Sequence, residues 1–352
     1  MNASGQATLP QETVDIKELE VETEARPGIQ ITVVVPTCGR PELLDRCLSG
    51  LVSQHFERGC FEIIVVDDRP ALATQSVVDR WRGRVAARGG PVVTYLPSSG
   101  PHGPAAARNR GWRAARGAIV AFTDDDTVPS DNWLANGMWA FRDDVHAVRG
   151  RIVMPLDHVP TDYELDAKNL ETAEFVTANC FCRKQVLADL GGFDERFALA
   201  WREDSDLHFR LLDYGARIVL VPDAIVTHPI RPAAWGVSLS QARKVQFDAL
   251  LYKKHRRHYR EKIRSAPRWD YYLAVALILH FLLALMLGSD IGAAMAAAVW
   301  LYVTGYFCVQ RLRHTSRSPA HIAEMLITSA LIPPVAVFWR AVGAWRYRTR
   351  FL

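Results

Sequence analysis

The chain has 352 residues, 49% of them hydrophobic, and a formal net charge of +4. This length suffices for a complete hydrophobic core and leaves sequence for further segments. The six cysteines include no CxxC pair, which argues against a zinc site of that type and against a disulfide framework. Residues 1–27 are acidic and polar, so they predict a disordered arm rather than a signal peptide, which needs a basic start and an apolar run.

Residues 28–235 alternate short apolar runs with stretches that have apolar residues at helical spacing. The apolar runs are continuous and rich in β-branched residues, which is typical of strands buried on both faces of a parallel sheet. This alternation predicts an α/β domain with a doubly wound, Rossmann-like sheet. Four runs are expected to be its strands: 31–36, 61–68, 91–97 and 118–122.

Asp124, Asp125 and Asp126 follow the last of these strands directly. Three adjacent carboxylates repel one another, so a fold tolerates them best where something positive is bound. A hard divalent cation, Mg²⁺ or Mn²⁺, suits such oxygen ligands. The carboxyl ends of strands are also where open α/β sheets bind ligands. The alternative is an Asp-rich turn that caps the helix expected to begin near Asn132.

Other polar groups are expected at the same edge of the sheet. Pro36, Thr37 and Arg40 lie in the turn that leaves the first strand, where backbone groups and the guanidinium can meet a nucleotide. Asp67 ends the second strand, where a carboxylate can accept hydrogen bonds from a base or a ribose. Arg108 lies at the start of a predicted helix, which suits contacts to a diphosphate.

The C-terminal third has a different composition. Runs 271–288 and 291–309 carry no formal charge, and each is long enough to cross a bilayer, so residues 270–310 predict a transmembrane hairpin. A pair of soluble core helices is the alternative. A third apolar run, 325–339, is shorter and contains two prolines, which favours a re-entrant or interfacial segment within 311–352.

Basic clusters precede the hairpin, follow it and end the chain. If Lys and Arg stay on the cytoplasmic side, the hairpin crosses twice and the α/β domain is cytoplasmic, on a multi-pass protein of the inner or plasma membrane. Residues 236–269 are then expected to form a basic, amphipathic juxtamembrane helix that contacts anionic lipid. Nucleic acid is not an expected partner, because no aromatic-interleaved platform for bases supports such a site.

The chain resembles the family-2 glycosyltransferases of GT-A fold over roughly residues 31–228. The motifs that carry the resemblance are VVVPTCGRPELLDRCLSGL, IIVVDD, GPAAARNRG, AFTDDD, TANCFCRKQVLADLGGFDERF and WREDSDLHFRLLDYGARIVLVPDAIVTH. The resemblance implies a metal-dependent enzyme that binds a nucleotide-sugar and transfers the sugar with inversion. The cation, Mg²⁺ or Mn²⁺, would neutralise the diphosphate of the donor.

The resemblance also implies individual roles. Asp126 matches the metal ligand of the family's DXD motif, and Asp124 matches its other outer position, which helps to place the ribose or the metal. Asp125, between them, belongs to the same donor site. Asp204 matches the general base that deprotonates the acceptor, and Glu203 would orient the acceptor. On residue type alone, both would suit the first turn of a helix.

Three further residues are candidates by position. His228 follows a predicted strand, where some relatives have a metal or phosphate ligand, although an ordinary loop histidine is the alternative. Trp201 could stack on a sugar, or be buried. Asn179 lies in the stretch that borders the donor sugar in the family. Asp67 matches the family's base- or ribose-binding carboxylate.

The chain departs from the family's processive synthases, since no QxxRW motif follows the expected base. Two crossings are also too few for a polymer channel, so a single addition is expected. The acceptor is expected to be lipid-linked or another glycan presented at the membrane. Two alternatives are a nucleotidyltransferase, which would need a more glycine-rich loop after the first strand, and a catalytically inactive scaffold with this fold.

Overall fold

The computed structural model describes residues 28–351, so the predicted arm of residues 1–27 lies outside the described part. The eight strands are β1 Ile31–Thr37, β2 Phe61–Asp67, β3 Val92–Pro97, β4 Ile119–Phe122, β5 Val128–Pro129, β6 Ala147–Val153, β7 Cys180–Arg183 and β8 Ile218–Thr227. The helices between and after them are α1 Pro41–Val52, α2 Leu72–Ala86, α3 Pro104–Ala114, α4 Trp133–Trp139, α5 Asp162–Ala167, α6 Lys184–Asp189, α7 Glu203–Asp213, α8 Val237–Ala242, α9 Gln246–Lys254, α10 Arg256–His258, α11 Trp269–Met286, α12 Asp290–Leu312 and α13 Pro319–Arg346.

The strands form one sheet in the order β3-β2-β1-β4-β7-β6-β8-β5. In β1 and β2 nearly every residue is buried, on both faces, which explains their continuous apolar sequences. Two hydrophobic clusters, one on each face, cover the central strands. The α/β class and the nucleotide-binding architecture are confirmed.

The expected parallel sheet is parallel only in part. β1 pairs in parallel with β2 and β4, and β2 with β3, but β7 lies antiparallel between β4 and β6. β6 and β8 are parallel to each other, with an irregularity in register between Gly150 and Arg151. The short β7 and the charged β6 lack the continuous apolar pattern of β1, so their places in the sheet were not evident from sequence.

Strand register brings the predicted polar groups to one edge. Thr37 at the end of β1 pairs with Asp67 at the end of β2. β4 ends at Phe122, which pairs with Val34. The aspartate triplet after Phe122 therefore emerges beside the last residues of β1, as expected for the ligand-binding edge of such a sheet.

Three C-terminal helices are long and apolar enough to cross a membrane, by length and composition: α11, α12 and α13. The first two make up the predicted hairpin and are joined by residues 287–289 only. α13 is a continuous helix of 28 residues that runs through Pro333 and Pro334, longer than the apolar run seen in the sequence. How many of the three cross remains a prediction.

The segment 236–269, expected as one juxtamembrane helix, is instead divided into the short helices α8, α9 and α10 and several turns. α9 lies against α13, and the approach is close at Gly343. A Cβ atom there would lie 2.4 Å from the backbone oxygen of Gln246, so only glycine fits. α9 also packs against Phe197 and Phe209 of the α/β domain, so this domain contacts the third apolar helix through α9.

Candidate active site

Asp124 and Asp126, the outer carboxylates of the triplet, lie close to His228, the residue that follows β8. One ligand atom each of Asp124, Asp126 and His228 lies within 4.8 Å of the other two. His228 follows β8, and its Nε2 is 3.5 Å from Asp126 Oδ1. Two carboxylates and one imidazole, more than a hundred residues apart in sequence, form a set of ligands that fits a divalent cation.

The middle carboxylate, Asp125, turns inward. It is fully buried, and its Oδ2 accepts a 2.6 Å hydrogen bond from the Thr37 hydroxyl. Arg40 lies 2.8 Å from its other oxygen and 3.3 Å from Asp126. Burial raises the pKa of Asp125 to about 6, although Arg40 and Thr37 oppose that shift. Thr37 and Arg40, both predicted to meet the nucleotide, thus hold the triplet in place, while Pro36 lies within β1, partly exposed.

Arg108 joins the triplet to the predicted catalytic pair. Its guanidinium is buried and lies 2.7 Å from Asp124 Oδ1 and 3.3 Å from Glu203 Oε1. Burial alone would raise the pKa of Asp124, but Arg108 and His228 outweigh it, and the net shift is downward. Asp124 is therefore ionised, and the buried guanidinium of Arg108 balances its negative charge.

Glu203 and Asp204 begin α7 and point to different partners. Burial, with Asp204 next, raises the pKa of Glu203 to about 8, against the opposing effect of Arg108. The Asp204 carboxylate accepts hydrogen bonds from the Thr177 hydroxyl at 2.7 Å and from its N–H at 3.2 Å. Burial also raises the pKa of Asp204, although Arg108 and Thr177 oppose it. A carboxylate with a raised pKa is a stronger proton acceptor.

Asp67, predicted to contact the base or ribose, is fully buried at the end of β2. It accepts hydrogen bonds from the Tyr95 hydroxyl at 2.9 Å and from the Ala71 N–H at 3.1 Å. Through these hydrogen bonds Asp67 stabilises the turn between β2 and α2. Its neighbour Asp68 is slightly exposed and accepts a 2.9 Å hydrogen bond from the N–H of Gly103, just before α3.

Asn179 does not border an open site. It is completely buried, and its side chain accepts a 2.8 Å hydrogen bond from the Trp133 indole and donates to the carbonyl oxygens of Arg151 and Ala224. Both amide hydrogens are therefore bonded within the fold, and the side chain is not exposed to a sugar. The prediction that it lies beside the donor sugar has no support in this geometry.

Trp201 is also held internally. Its indole N–H donates a 3.0 Å hydrogen bond to Asp248, and the Arg202 guanidinium lies 4.6 Å from its ring centroid. It packs at the margin of a hydrophobic cluster that includes Phe197 and Phe247. One face of the ring is thus covered by a neighbour, and its stacking on a sugar stays a prediction.

Sequence reasoning missed two residues of the site. Thr177 binds Asp204 across 27 residues of sequence, and no local pattern indicates such a contact. Arg231, three residues after His228, lies 3.1 Å from Asp126 and is half exposed. Its position on the same loop as a candidate ligand was the available signal, but charge alone does not separate it from surface arginines.

Comparison with known families gives the site its context. The family described as "Glycosyl transferase family 2" matches residues 32–189. The family described as "Glycosyl transferase family group 2" matches residues 119–310, which is more than half of the chain. The chain belongs to glycosyl transferase family 2. The matched ranges contain both ends of the site, from the triplet to His228.

Curated relatives include glycosyltransferase AglE of Haloferax volcanii, 27% identical over 57% of this chain and 67% of its own length. Another is the pre-mycofactocin glycosyltransferase of Mycobacterium tuberculosis, 34% identical over 57% of this chain. This chain spans under half, 43%, of that relative's length. A mannosyltransferase of Pyrobaculum calidifontis, solved with GDP-Man and Mn²⁺, shares the GT-A fold with a TM-score of 0.56 and 22% identity, over 87% of both chains.

Proposed function

We propose that this family member transfers one sugar from a nucleotide-sugar to a hydroxyl of an acceptor presented at the membrane, with a divalent cation and with inversion. The observation that carries the proposal is the Asp124–Asp126–His228 cluster, with Arg108 linking it to Glu203. The cluster supplies a cation site and the pair at α7 supplies a proton acceptor, the two requirements of this chemistry.

Asp124, Asp126 and His228 would hold the cation, since their ligand atoms already converge. The mixed set of oxygen and nitrogen donors suits Mn²⁺ or Mg²⁺. When bound, the cation offsets the charge of the donor diphosphate and makes it a better leaving group. The mannosyltransferase with this fold was solved with Mn²⁺ and GDP-Man, which supports the same class of ligands here.

The chain's own residues carry out the rest. Asp204 accepts the proton of the acceptor hydroxyl as that oxygen bonds to the anomeric carbon and the bond to the diphosphate breaks. Attack from the face opposite the leaving group inverts the anomeric configuration. Thr177 fixes the orientation of the Asp204 carboxylate through two hydrogen bonds. Glu203, with its pKa raised, is protonated at neutral pH and donates a hydrogen bond to the acceptor.

The donor is held at the parallel strand ends. Arg40 and Arg231 contact the triplet and are partly exposed, so each can turn to a diphosphate oxygen when the cation binds. Because Asp67 is buried against Tyr95, we assign the base or ribose contact to Asp68. This assignment replaces the one that sequence suggested.

The acceptor is proposed to be lipid-linked or another membrane-presented glycan. The support is the position of α9, which packs both on the α/β domain and on α13, one of three helices long enough to span a membrane. With basic residues on the cytoplasmic side, the site faces the cytoplasm. A single addition is expected, since the chain lacks the QxxRW motif after α7.

The test is release of nucleoside diphosphate from a panel of nucleotide-sugars by the detergent-solubilised full chain, with Mn²⁺, Mg²⁺ or EDTA, and with membrane lipid extract as acceptor source. Asp126→Asn should abolish metal-dependent release. Asp131→Asn changes an exposed carboxylate on the same segment and should not. Calorimetric binding of donor without turnover in any lipid extract would contradict the catalytic assignment, and no metal-dependent donor binding would indicate a scaffold.

A further inference from the structure

The residue before the catalytic pair has an unusual backbone. Arg202, next to Glu203, has φ of +74° in the left-handed region. Of the non-glycine residues that the structure describes, only Arg348 shares a positive φ. A side chain at such a position is strained unless its surroundings hold it there, and such strain is found at functional sites.

The carboxylate of Asp248 holds Arg202 in this conformation. Asp248 Oδ1 accepts a 2.7 Å hydrogen bond from Arg202 Nε and a 3.0 Å hydrogen bond from the Trp201 indole N–H. Asp248 is buried, and its other oxygen lies 3.4 Å from the Tyr259 hydroxyl. The two residues that lead into Glu203 are thus bound to the same carboxylate.

Asp248 lies on α9, which packs against α13. The Gln246 backbone, two residues from Asp248, is the part that meets Gly343. Arg346, further along α13, lies within 3.4 Å of the Gln246 side-chain oxygen. A continuous chain of contacts therefore runs from the third apolar helix, through α9, to the turn that begins α7.

We propose that Asp248 is a positioning residue for the transfer reaction. It holds Arg202 in the left-handed turn that directs Glu203 and Asp204 into the site, and α13 fixes where Asp248 lies. The inference rests on the proposed roles of Glu203 and Asp204. It gives α13 a part in catalysis beyond attachment to the membrane.

The experiment uses the full chain in detergent with its donor and acceptor. Asp248→Asn keeps the volume and removes the charge that pairs with Arg202. We expect kcat to fall about tenfold, while KM for the donor stays within about twofold, because a shifted base impairs chemistry more than binding.

Asp45→Asn is the matched control. Asp45 Oδ1 also accepts hydrogen bonds from an arginine, Arg80, and from a tryptophan indole, Trp81, each at 2.7 Å. It lies on α1, away from α7, so the variant loses the same kind of contact and should keep wild-type kcat.

The decisive readout is rescue. Glycine adopts a positive φ without steric strain, so Arg202→Gly should make the turn less dependent on Asp248. In the Asp248→Asn background, Arg202→Gly is expected to recover at least about a third of the lost kcat. A merely structural role for Asp248 would give no recovery, because Arg202→Gly removes further contacts.

Gly343→Ala provides an independent variant if Asp248→Asn does not fold. It displaces α9 without touching the turn, and it should lower kcat with donor KM retained. Unchanged kcat in a folded Asp248→Asn variant, or a loss without rescue, would overturn the inference. Absence of transfer by the wild-type chain would instead count against the proposed function.

Discussion

The two halves of the sheet bring different groups to the site by different means. In the first half, β1 to β4, the residues proposed to bind the donor follow directly on parallel strand ends. In the second half, β6 to β8, the groups stand on turns and loops: Thr177 before β7, Glu203 and Asp204 at the start of α7, and His228 after β8. We call these the donor half and the transfer half.

The site residues of the two halves are held rigid by different contacts. In the donor half, backbone pairing fixes the triplet, and Thr37 locks its middle residue from β1. In the transfer half, side chains do this work: Thr177 holds Asp204, and Asp248 holds Arg202. Variants in the donor half should therefore alter donor affinity, and those in the transfer half should alter turnover.

Asp204→Asn should give the largest effect and the clearest separation of the two halves. An amide cannot accept the acceptor proton, so kcat should fall by about 10²–10⁴-fold. The donor dissociation constant, measured by calorimetry, should change less than about twofold. Thr177→Val should show a milder loss of kcat in the same direction. Weakened donor binding with normal kcat would place Asp204 in the donor half instead.

His228→Asn tests whether a residue in the transfer half can nevertheless contribute to cation and donor binding. His228 belongs to the transfer half by position, but it touches Asp126. Loss of one ligand should weaken Mn²⁺ binding by about 10–100-fold, with donor affinity falling in parallel. Titration of free Mn²⁺ by electron paramagnetic resonance gives the affinity. Equal Mn²⁺ affinity in the variant would remove His228 from the cation site.

Asn179→Ala should affect stability alone. It leaves the Trp133 indole and the carbonyl oxygens of Arg151 and Ala224 without this partner, which costs about 2 kcal/mol and lowers Tm by about 5 °C. Asn136→Ala, which removes one hydrogen bond near the surface, is the control and should change Tm little. A changed donor KM in the Asn179→Ala protein would restore its predicted place beside the sugar.

Glu203→Gln should show a small effect that depends on pH. The folded-state pKa of Glu203 is about 8, above the ordinary value of 4.5, so the stability tied to its neutral form is lost as pH rises through this window. Glutamine stays neutral, so Tm of the variant relative to wild type should increase from pH 5 to pH 8. Thermal melts in detergent measure this, and a difference independent of pH would contradict the buried, neutral carboxyl.

Much of the donor half was predictable because its strands and its aspartate triplet are encoded in short, continuous stretches of sequence. Continuous apolar runs identify β1, β2 and β4, and an aspartate triplet at a strand end suits a divalent cation, with an Asp-rich capping turn as the alternative. The transfer half was less predictable, since β6 contains Arg149 and Arg151 and β7 has only four residues. Its partners Thr177 and Asp248 act across long sequence separations that leave no periodic signal.

The surroundings of two predicted site residues also depend on contacts between distant segments. Asp67 and Asn179 have the residue types of ligand-binding positions, but only the coordinates show that Tyr95 and Trp133 occupy their polar atoms. Burial, rather than position along the chain, distinguishes the fully buried Asp67 from its slightly exposed neighbour Asp68. Burial depends on contacts between distant segments, so a sequence without coordinates does not give it.

The three-residue turn Thr177–Asn179 limits how this enzyme can be re-engineered. Its first residue binds Asp204 and its last binds the carbonyl oxygens of Arg151 and Ala224, so both ends are fixed while the stretch 155–176 before it lies outside the sheet. Loop grafting to change acceptor preference therefore has room before residue 177. A single insertion within the turn would move Thr177 away from Asp204 or Asn179 out of the core.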